Sequence, residues 1–424
     1  MCAPNLETLM NHKVFRDSAL LVLIILNLSV AVVAQSGATR PRRVDPATTN
    51  RDAAAAATPQ PTPAPNAPVR NVPAPTNTAT RPATNAVAAT GSTAQAYALL
   101  QQKQYAAAAK EARQIAEIDP KNSEAWKIAG FAAFYQNQFR EAATDLQRAL
   151  DLQRAAGEED APTVDALAQS LVRSDEFERA LPLLTAATSR PNATPDATLL
   201  YYRGLAEYRT GKQADAERSF NAAVKADPKN SASLFYLGRL AYERNQTDAA
   251  IATLNRATLA DPRFGEAWTL LTYAYLRRAA AATGAKADAD YLNAVRSSDA
   301  LVRLRSDEAA SALNGQALIG AKQFVRAIST LERAGANPNA QGATLYLLGV
   351  AYSRNKNFPK AIATFERAAA KTADDPNIYR ELGYAYEVSK QYAKALAAYE
   401  KGAGLAPDDA DFKESADRVR PFAK

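Results

Sequence analysis

The chain has one cysteine, Cys2, and one histidine, His12. Both fall inside an N-terminal segment, residues 1–34, that reads as an export signal, so the mature chain is expected to contain neither. That excludes Ser-His-Asp and Cys-His nucleophilic machinery, zinc held by cysteine or histidine, haem on a histidine ligand, and structural disulfides. There is no Gly-x-x-x-x-Gly-Lys-Ser/Thr loop and no Gly-x-Gly-x-x-Gly loop to cradle phosphates. Runs of β-branched residues are scarce beyond the N-terminus and nothing alternates with period two for long, so no sheet is expected. Catalysis by carboxylates alone, as in glycoside hydrolysis, stays open on composition. The acids, however, gather at turn positions such as Glu158-Glu159-Asp160, Asp374-Asp375 and Asp408-Asp409, where helix capping and solvation account for them. The expectation is a protein that is not an enzyme and uses no cofactor or metal.

Positive charge is modest and unevenly placed. The formal net charge is +7 over 424 residues. Six arginines against Asp45 and Asp52 put +4 of it in residues 35–92, and residues 1–34 cancel, which leaves about +3 for the rest. That is no electrostatic footprint for nucleic acid.

Residues 1–34 carry Lys13 and Arg16 ahead of an apolar run from Ala19 that continues to Ala34, with Val32-Val33-Ala34 as a small-residue cleavage site. This span of 16 residues is shorter than the roughly 20 that cross a bilayer. A cleaved signal is expected, with a retained membrane anchor as the alternative. Cys2 lies before the apolar run, the wrong side for a lipid anchor. Residues 35–92 hold 10 of the 23 prolines among Ala, Thr and Asn. They have no apolar pattern to bury, and are expected to be an extended linker. A docking peptide or a glycosylated stalk are the other readings of this segment.

What the sequence does have is recurrence. In residues 345–368, Leu345, Leu348, Gly349 and Tyr352 fall on one helical face, and Ala361, Phe365 and Ala368 on a second. Two short amphipathic helices joined over Ser353 to Pro359 make a helical hairpin. Its small first-helix residue recurs at Ala96, Gly130, Ala168, Gly204, Gly238, Thr272, Gly315, Gly349 and Gly383, mostly 34 apart. A second small residue follows 12 positions later in eight of these nine units. Gly349 and Ala361 are expected where the two backbones come closest. The sixth unit breaks phase: nine extra residues around Ala279 to Asp290 carry its second helix on to about Ala294.

This pattern resembles the tetratricopeptide repeat, whose period is 34 with Trp, Leu, Gly, Tyr, Ala, Phe, Ala and Pro at fixed places. Tyr379, Leu382, Gly383, Tyr386, Ala395, Tyr399 and Pro407 match it, as do Trp126, Gly130, Ala142 and Ala149. The resemblance covers about residues 93–408. It implies an all-α solenoid, a right-handed superhelix of about nine hairpins, and Asp409 to Arg420 suits a capping helix. The repeat domain is therefore expected over residues 93–424.

The resemblance also implies where a ligand would lie, in an inner groove lined by the first helices. Carried over position by position, that groove comprises Lys127, Phe131, Phe134 and Tyr135, then Arg173, then Tyr201, Leu205, Tyr208 and Arg209. It continues with Phe235, Arg239 and Tyr242, Tyr273 and Arg277, Tyr346 and Arg354, and Arg380 and Tyr384. Arginines five residues beyond the small one, at 173, 209, 277 and 354, would form a ladder. Tyr and Phe supply rigid contact area and Arg supplies forked hydrogen bonds, a mixture suited to a polypeptide ligand. A Lys followed four residues later by Asn, the carboxylate clamp of chaperone-binding members, fails at Lys127, which is followed by Phe131. The expected function is an exported protein-interaction scaffold that binds a protein or peptide and no nucleic acid. The alternative is a membrane-tethered subunit or assembly factor of an envelope complex.

Overall fold

The computed structural model describes residues 92–424 apart from 192, 193 and 195. The proposed signal, residues 1–34, and all but the last residue of the linker lie outside the described residues. Those residues form two compact units that meet in sequence at Ala310 and Ser311, and among them every regular element is a helix.

The first unit holds six hairpins: α1 Thr93–Gln101 with α2 Tyr105–Ile118, α3 Ser123–Tyr135 with α4 Phe139–Ala156, α5 Ala161–Arg173 with α6 Phe177–Thr188, α7 Ala197–Arg209 with α8 Gln213–Ala226, α9 Ser231–Glu243 with α10 Thr247–Ala260, and α11 Gly265–Ala281 with α12 Gly284–Leu304. The second begins within α13 Glu308–Gly320, paired with α14 Phe324–Gly335, and continues with α15 Gly342–Arg354 and α16 Phe358–Lys371, then α17 Pro376–Val388 and α18 Tyr392–Leu405. The last helix, α19 Ala410–Val419, covers α18 and runs into a 3₁₀ turn, Arg420–Phe422. In each unit the helices pack on neighbours that are consecutive along the chain.

Local chemistry sets the boundaries. First helices other than α11 and α15 start at side-chain caps: Asn122 accepts from the Ala125 amide at 3.0 Å, Asp160 from Thr163 at 2.8 Å and Asn230 from Ser233 at 2.9 Å. Each satisfies one of the orphan N–H groups of the opening turn. Second helices mostly lack such caps and instead follow a left-handed residue seven beyond the small one. These residues are Lys103, Asn137, Asp175, Gly211, Asn245, Lys322, Lys356 and Lys390. The turn before α16 is shorter than Ser353 to Pro359, because Pro359 already lies in the first turn of that helix, where its missing N–H costs nothing. In the sixth unit the helix runs straight through the turn position at Ala279 and the left-handed residue moves to Gly284, φ 61°. The extra residues thus lengthen α11 and α12, and Ala294 is buried as expected.

The small residue leaves room for a large side chain as well as for the second helix's backbone, which a Cβ on Gly130 would meet at 3.0 Å (Leu146 N) and one on Gly238 at 3.5 Å (Ala250 O). A Cβ on Gly349 would stand 2.5 Å from the Phe365 ring, and one on Gly383 2.5 Å from Tyr399. Gly130, Gly204, Gly238 and Gly315 face Leu146, Phe220, Leu254 and Leu331 in the same way. In each of these six hairpins a large side chain 16 residues on fills the space above the glycine. The sixth unit replaces this pair with polar groups: Thr272 Oγ1 lies 2.9 Å from Ser297 Oγ, both buried. The signature aromatic that opens a unit has a second task beyond packing. Trp126 Nε1 donates to the Pro120 carbonyl at 3.1 Å, Trp268 Nε1 to that of Pro262 at 2.9 Å and Tyr379 Oη to that of Ala373 at 3.1 Å, tying each helix to the turn before it.

Candidate functional site

First helices contact the first helix of the next hairpin, α1 on α3, α3 on α5, α5 on α7, α7 on α9, α9 on α11 and, in the second unit, α15 on α17; no comparable packing links second helices. A stack with one layer packed more tightly than the other bends toward that layer, so within each unit the first helices form the inner wall.

The wall divides the candidate residues into two sets. Phe131 and Phe134, Tyr201 and Leu205, Phe235 and Tyr242, and Tyr346 are buried. They fill the seams between hairpins, where a neighbouring helix already covers them, and the expectation that they present free faces to a ligand is corrected on that ground. Tyr201, for example, is 1% exposed and lies against Tyr202, Phe220 and Tyr236. Lys127 is buried as well, 3.0 Å from Asp160 and 3.3 Å from Glu124. Burial pushes the Asp160 carboxyl up, but the Thr163 amide and the Lys127 ammonium outweigh it and leave it below the usual range.

The second set is half-buried: Tyr135, Arg173, Tyr208, Arg209, Arg239, Tyr273, Arg277, Arg354, Arg380 and Tyr384. Tyr135 stacks on Tyr105 at 5.1 Å. Arg239 Nε reaches Glu243 Oε1 at 2.9 Å, and Tyr208 Oη donates to the same oxygen at 2.7 Å. Burial first and that carboxylate second push the Tyr208 phenol far up. Burial also raises Tyr273, helped by Tyr242, to about 12. Tyr384 meets Phe358 edge-on at 6.4 Å. The Tyr208 and Tyr273 phenols thus stay neutral and act as donors at any physiological pH.

The arginines do not form one uniform ladder. Arg354 is engaged in a forked pair with Glu381, 2.7 and 3.0 Å, that joins α15 to α17. Arg380 pairs with Asp409 and lies 4.3 Å above the Phe412 ring, holding the last helix. Arg277 covers the Tyr242 ring at 3.4 Å and donates to the Tyr242 carbonyl at 2.7 Å. Arg173 and Arg209 reach back to the hairpin before them and lie over Phe139 at 4.6 Å and Phe177 at 5.2 Å. Guanidinium planes laid on aromatic faces are held in place without being neutralised. Among the described residues, Arg173, Arg209 and Arg277 have no carboxylate within ion-pair distance.

Sequence reasoning missed Glu243, Tyr202, Tyr236 and Gln169. Glu243 was readable, four residues after Arg239 on a helix. Tyr202 and Tyr236 each precede the unit's glycine by two positions, a spacing visible in the repeat but silent about which arginine each would meet. Gln169 carries no signal in the sequence.

Models of the tetratricopeptide repeat match residues 166–231 and 346–410, and a further such model matches residues 208–272. No curated protein matches the chain. Solved structures similar to it include YrrB, described as a TPR protein with an unusual peptide-binding site, at 15% identity over 47% of this chain and 99% of that one, TM-score 0.39. A tetratricopeptide repeat protein from Parabacteroides merdae is 15% identical over 62% of this chain and 98% of its own, TM-score 0.39. The C-terminal part of a TPR repeat-containing protein from Cytophaga hutchinsonii is 16% identical over 68% and 97%, TM-score 0.42. With hairpins in one phase, a glycine under a large side chain in most of them, and family models matching residues within both units, this chain carries tetratricopeptide repeats.

Proposed function

We propose that this protein is an exported scaffold that holds another polypeptide in extended form along the inner wall of its first helices. The observation that carries the reading is the half-buried set on that wall, aromatic and arginine side chains recurring from hairpin to hairpin. The second to sixth hairpins of the first unit, and separately the last two of the second, each offer a ring or a guanidinium, and an extended strand of about 3.3 Å per residue passes those of one unit in turn. Lys13, Arg16 and the apolar run to Ala34 support export. No described helix is long and apolar enough to cross a membrane, so tethering would fall to the N-terminal segment alone.

A photo-crosslinking residue placed at Tyr208 or Tyr384 in the full-length chain, in its native cells, is expected to capture polypeptide. The same residue at Leu259 or Val325, exposed on second helices, is expected to capture far less. Equal capture from both faces would end the inner-wall reading. Fractionation tests the export half: release of the mature chain without detergent is expected, and retention in membranes would favour the tethered form.

A further inference from the structure

Arg173 and Arg209 stand apart from the paired arginines of the inner wall; Arg277, also without a carboxylate among the described residues, spends its guanidinium on the Tyr242 carbonyl and the Asn245 side chain. Arg239 is matched by Glu243, Arg354 by Glu381 and Arg380 by Asp409, whereas Arg173 and Arg209, on the adjoining helices α5 and α7, have no counter-charge among the described residues. Each is fixed by an aromatic ring beneath it. Tyr202 accepts a hydrogen bond from Arg173 and Tyr236 one from Arg209, and other polar atoms nearby remain unpaired. Gln169, one helical turn before Arg173 on the same face, is 1% exposed and neither atom of its amide is hydrogen-bonded. The Tyr201 hydroxyl, equally buried, has no partner, and neither does Arg173 Nη1 or Arg209 Nε. Burial first, then the neighbouring Tyr236 and Tyr202, push the Tyr201 phenol well up against the opposing pull of the two guanidiniums, so it stays protonated. Two half-buried cations fixed on adjoining helices, with unpaired N–H groups and no anion to accept from them, describe half of a charge-assisted hydrogen-bond set.

We infer that Arg173 and Arg209 form a site that takes the side-chain carboxylate of an Asp or Glu within an extended segment of the bound polypeptide. This rests on the inner-wall reading above and names the chemistry it selects. A mid-chain acid is favoured over a chain end because hairpins continue on both sides of α5 and α7 in the same unit, so a segment lying along the wall passes this point in both directions. The site differs from a Lys/Asn clamp for a terminal carboxylate in its residues and in what it excludes.

The test is a binding titration of the full-length chain with fluorescein-labelled, end-blocked peptides of alternating Glu and Ser, against the same peptide with Gln for Glu and a Gln version with a free C-terminal carboxylate. The acidic peptide is expected to bind at least about tenfold more tightly than either control, with an affinity that falls as salt rises. In the R173Q/R209Q variant this preference is expected to disappear while helicity and thermal unfolding stay as in the parent. Arg173→Lys, which keeps charge but loses the planar fork, should retain part of it. No preference for the acidic peptide, a preference for the free C-terminus, or a preference that survives in R173Q/R209Q would overturn the assignment. Capture at Tyr208 by photo-crosslinking, being indifferent to ligand charge, would still stand in those cases if the inner-wall reading alone is right.

Discussion

Gly349→Ala separates two effects of opposite sign. In an exposed helix interior, Ala in place of Gly stabilises by about 0.5–1 kcal/mol, since Gly loses more backbone freedom on folding. Gly404, exposed in the last turn of α18 with nothing within 4 Å of an added Cβ, takes part of this gain without a clash. At Gly349 the same methyl would come within 2.5–2.9 Å of three atoms of the Phe365 ring. That ring is fully buried and cannot swing into solvent. Overpacking of this kind costs about 1–3 kcal/mol, which exceeds the helix gain, so Gly349→Ala is expected to destabilise by about 1 kcal/mol. The gap between the two alanine variants is then up to about 2 kcal/mol. Repeat arrays need not unfold in one step, so the measurement is amide hydrogen exchange of α15 and α16 for Gly349→Ala and of α18 for Gly404→Ala. In a Phe365→Ala background, where the ring is gone, Gly349→Ala should become neutral or stabilising. The reasoning fails if Gly349→Ala raises protection as Gly404→Ala does, or if its effect is the same with and without the ring.

Arg354→Met would leave Glu381 buried and unpaired between α15 and α17, and is expected to cost about 3–5 kcal/mol, while the double variant R354M/E381M recovers most of it; urea unfolding of the four proteins closes the cycle. Lys356 and Lys390 hold left-handed backbone, φ 64° and 59°; glycine at either should stabilise by about 1 kcal/mol in the same assay, and a loss would mean their side chains matter more than their dihedrals. Burial holds the phenols of Tyr201, Tyr208 and Tyr399 above their unfolded value. Their stabilisation is complete below the unfolded pKa of about 10 and is lost as pH rises through the higher folded values. Helicity by circular dichroism should therefore collapse together with the late phenolate absorbance; phenolate forming fully while the helices persist would contradict the burial.

The repeat phase, the helix pairs, the broken sixth unit and the C-terminal cap were all present in the chain of letters. They follow from local rules: a 3.6-residue period, a residue that tolerates a left-handed turn, and an Asn, Asp or Ser cap recur at fixed intervals and need no knowledge of the neighbours. The glycine was legible too, but the ring that fills the space above it was not, because Phe365 meets Gly349 only after the hairpin closes. The candidate wall shows the same limit more sharply. Tyr201, Phe235 and Tyr242 look equivalent to Tyr208 and Tyr273 in the sequence, yet the next hairpin covers the first three almost completely and leaves the other two half open. Arg173, Arg209 and Arg354 likewise share one repeat position. Whether such an arginine is spent depends on a carboxylate delivered by a different hairpin, as Glu381 is to Arg354, and charge pairing across a packed seam is a property of three-dimensional neighbours that no single repeat encodes.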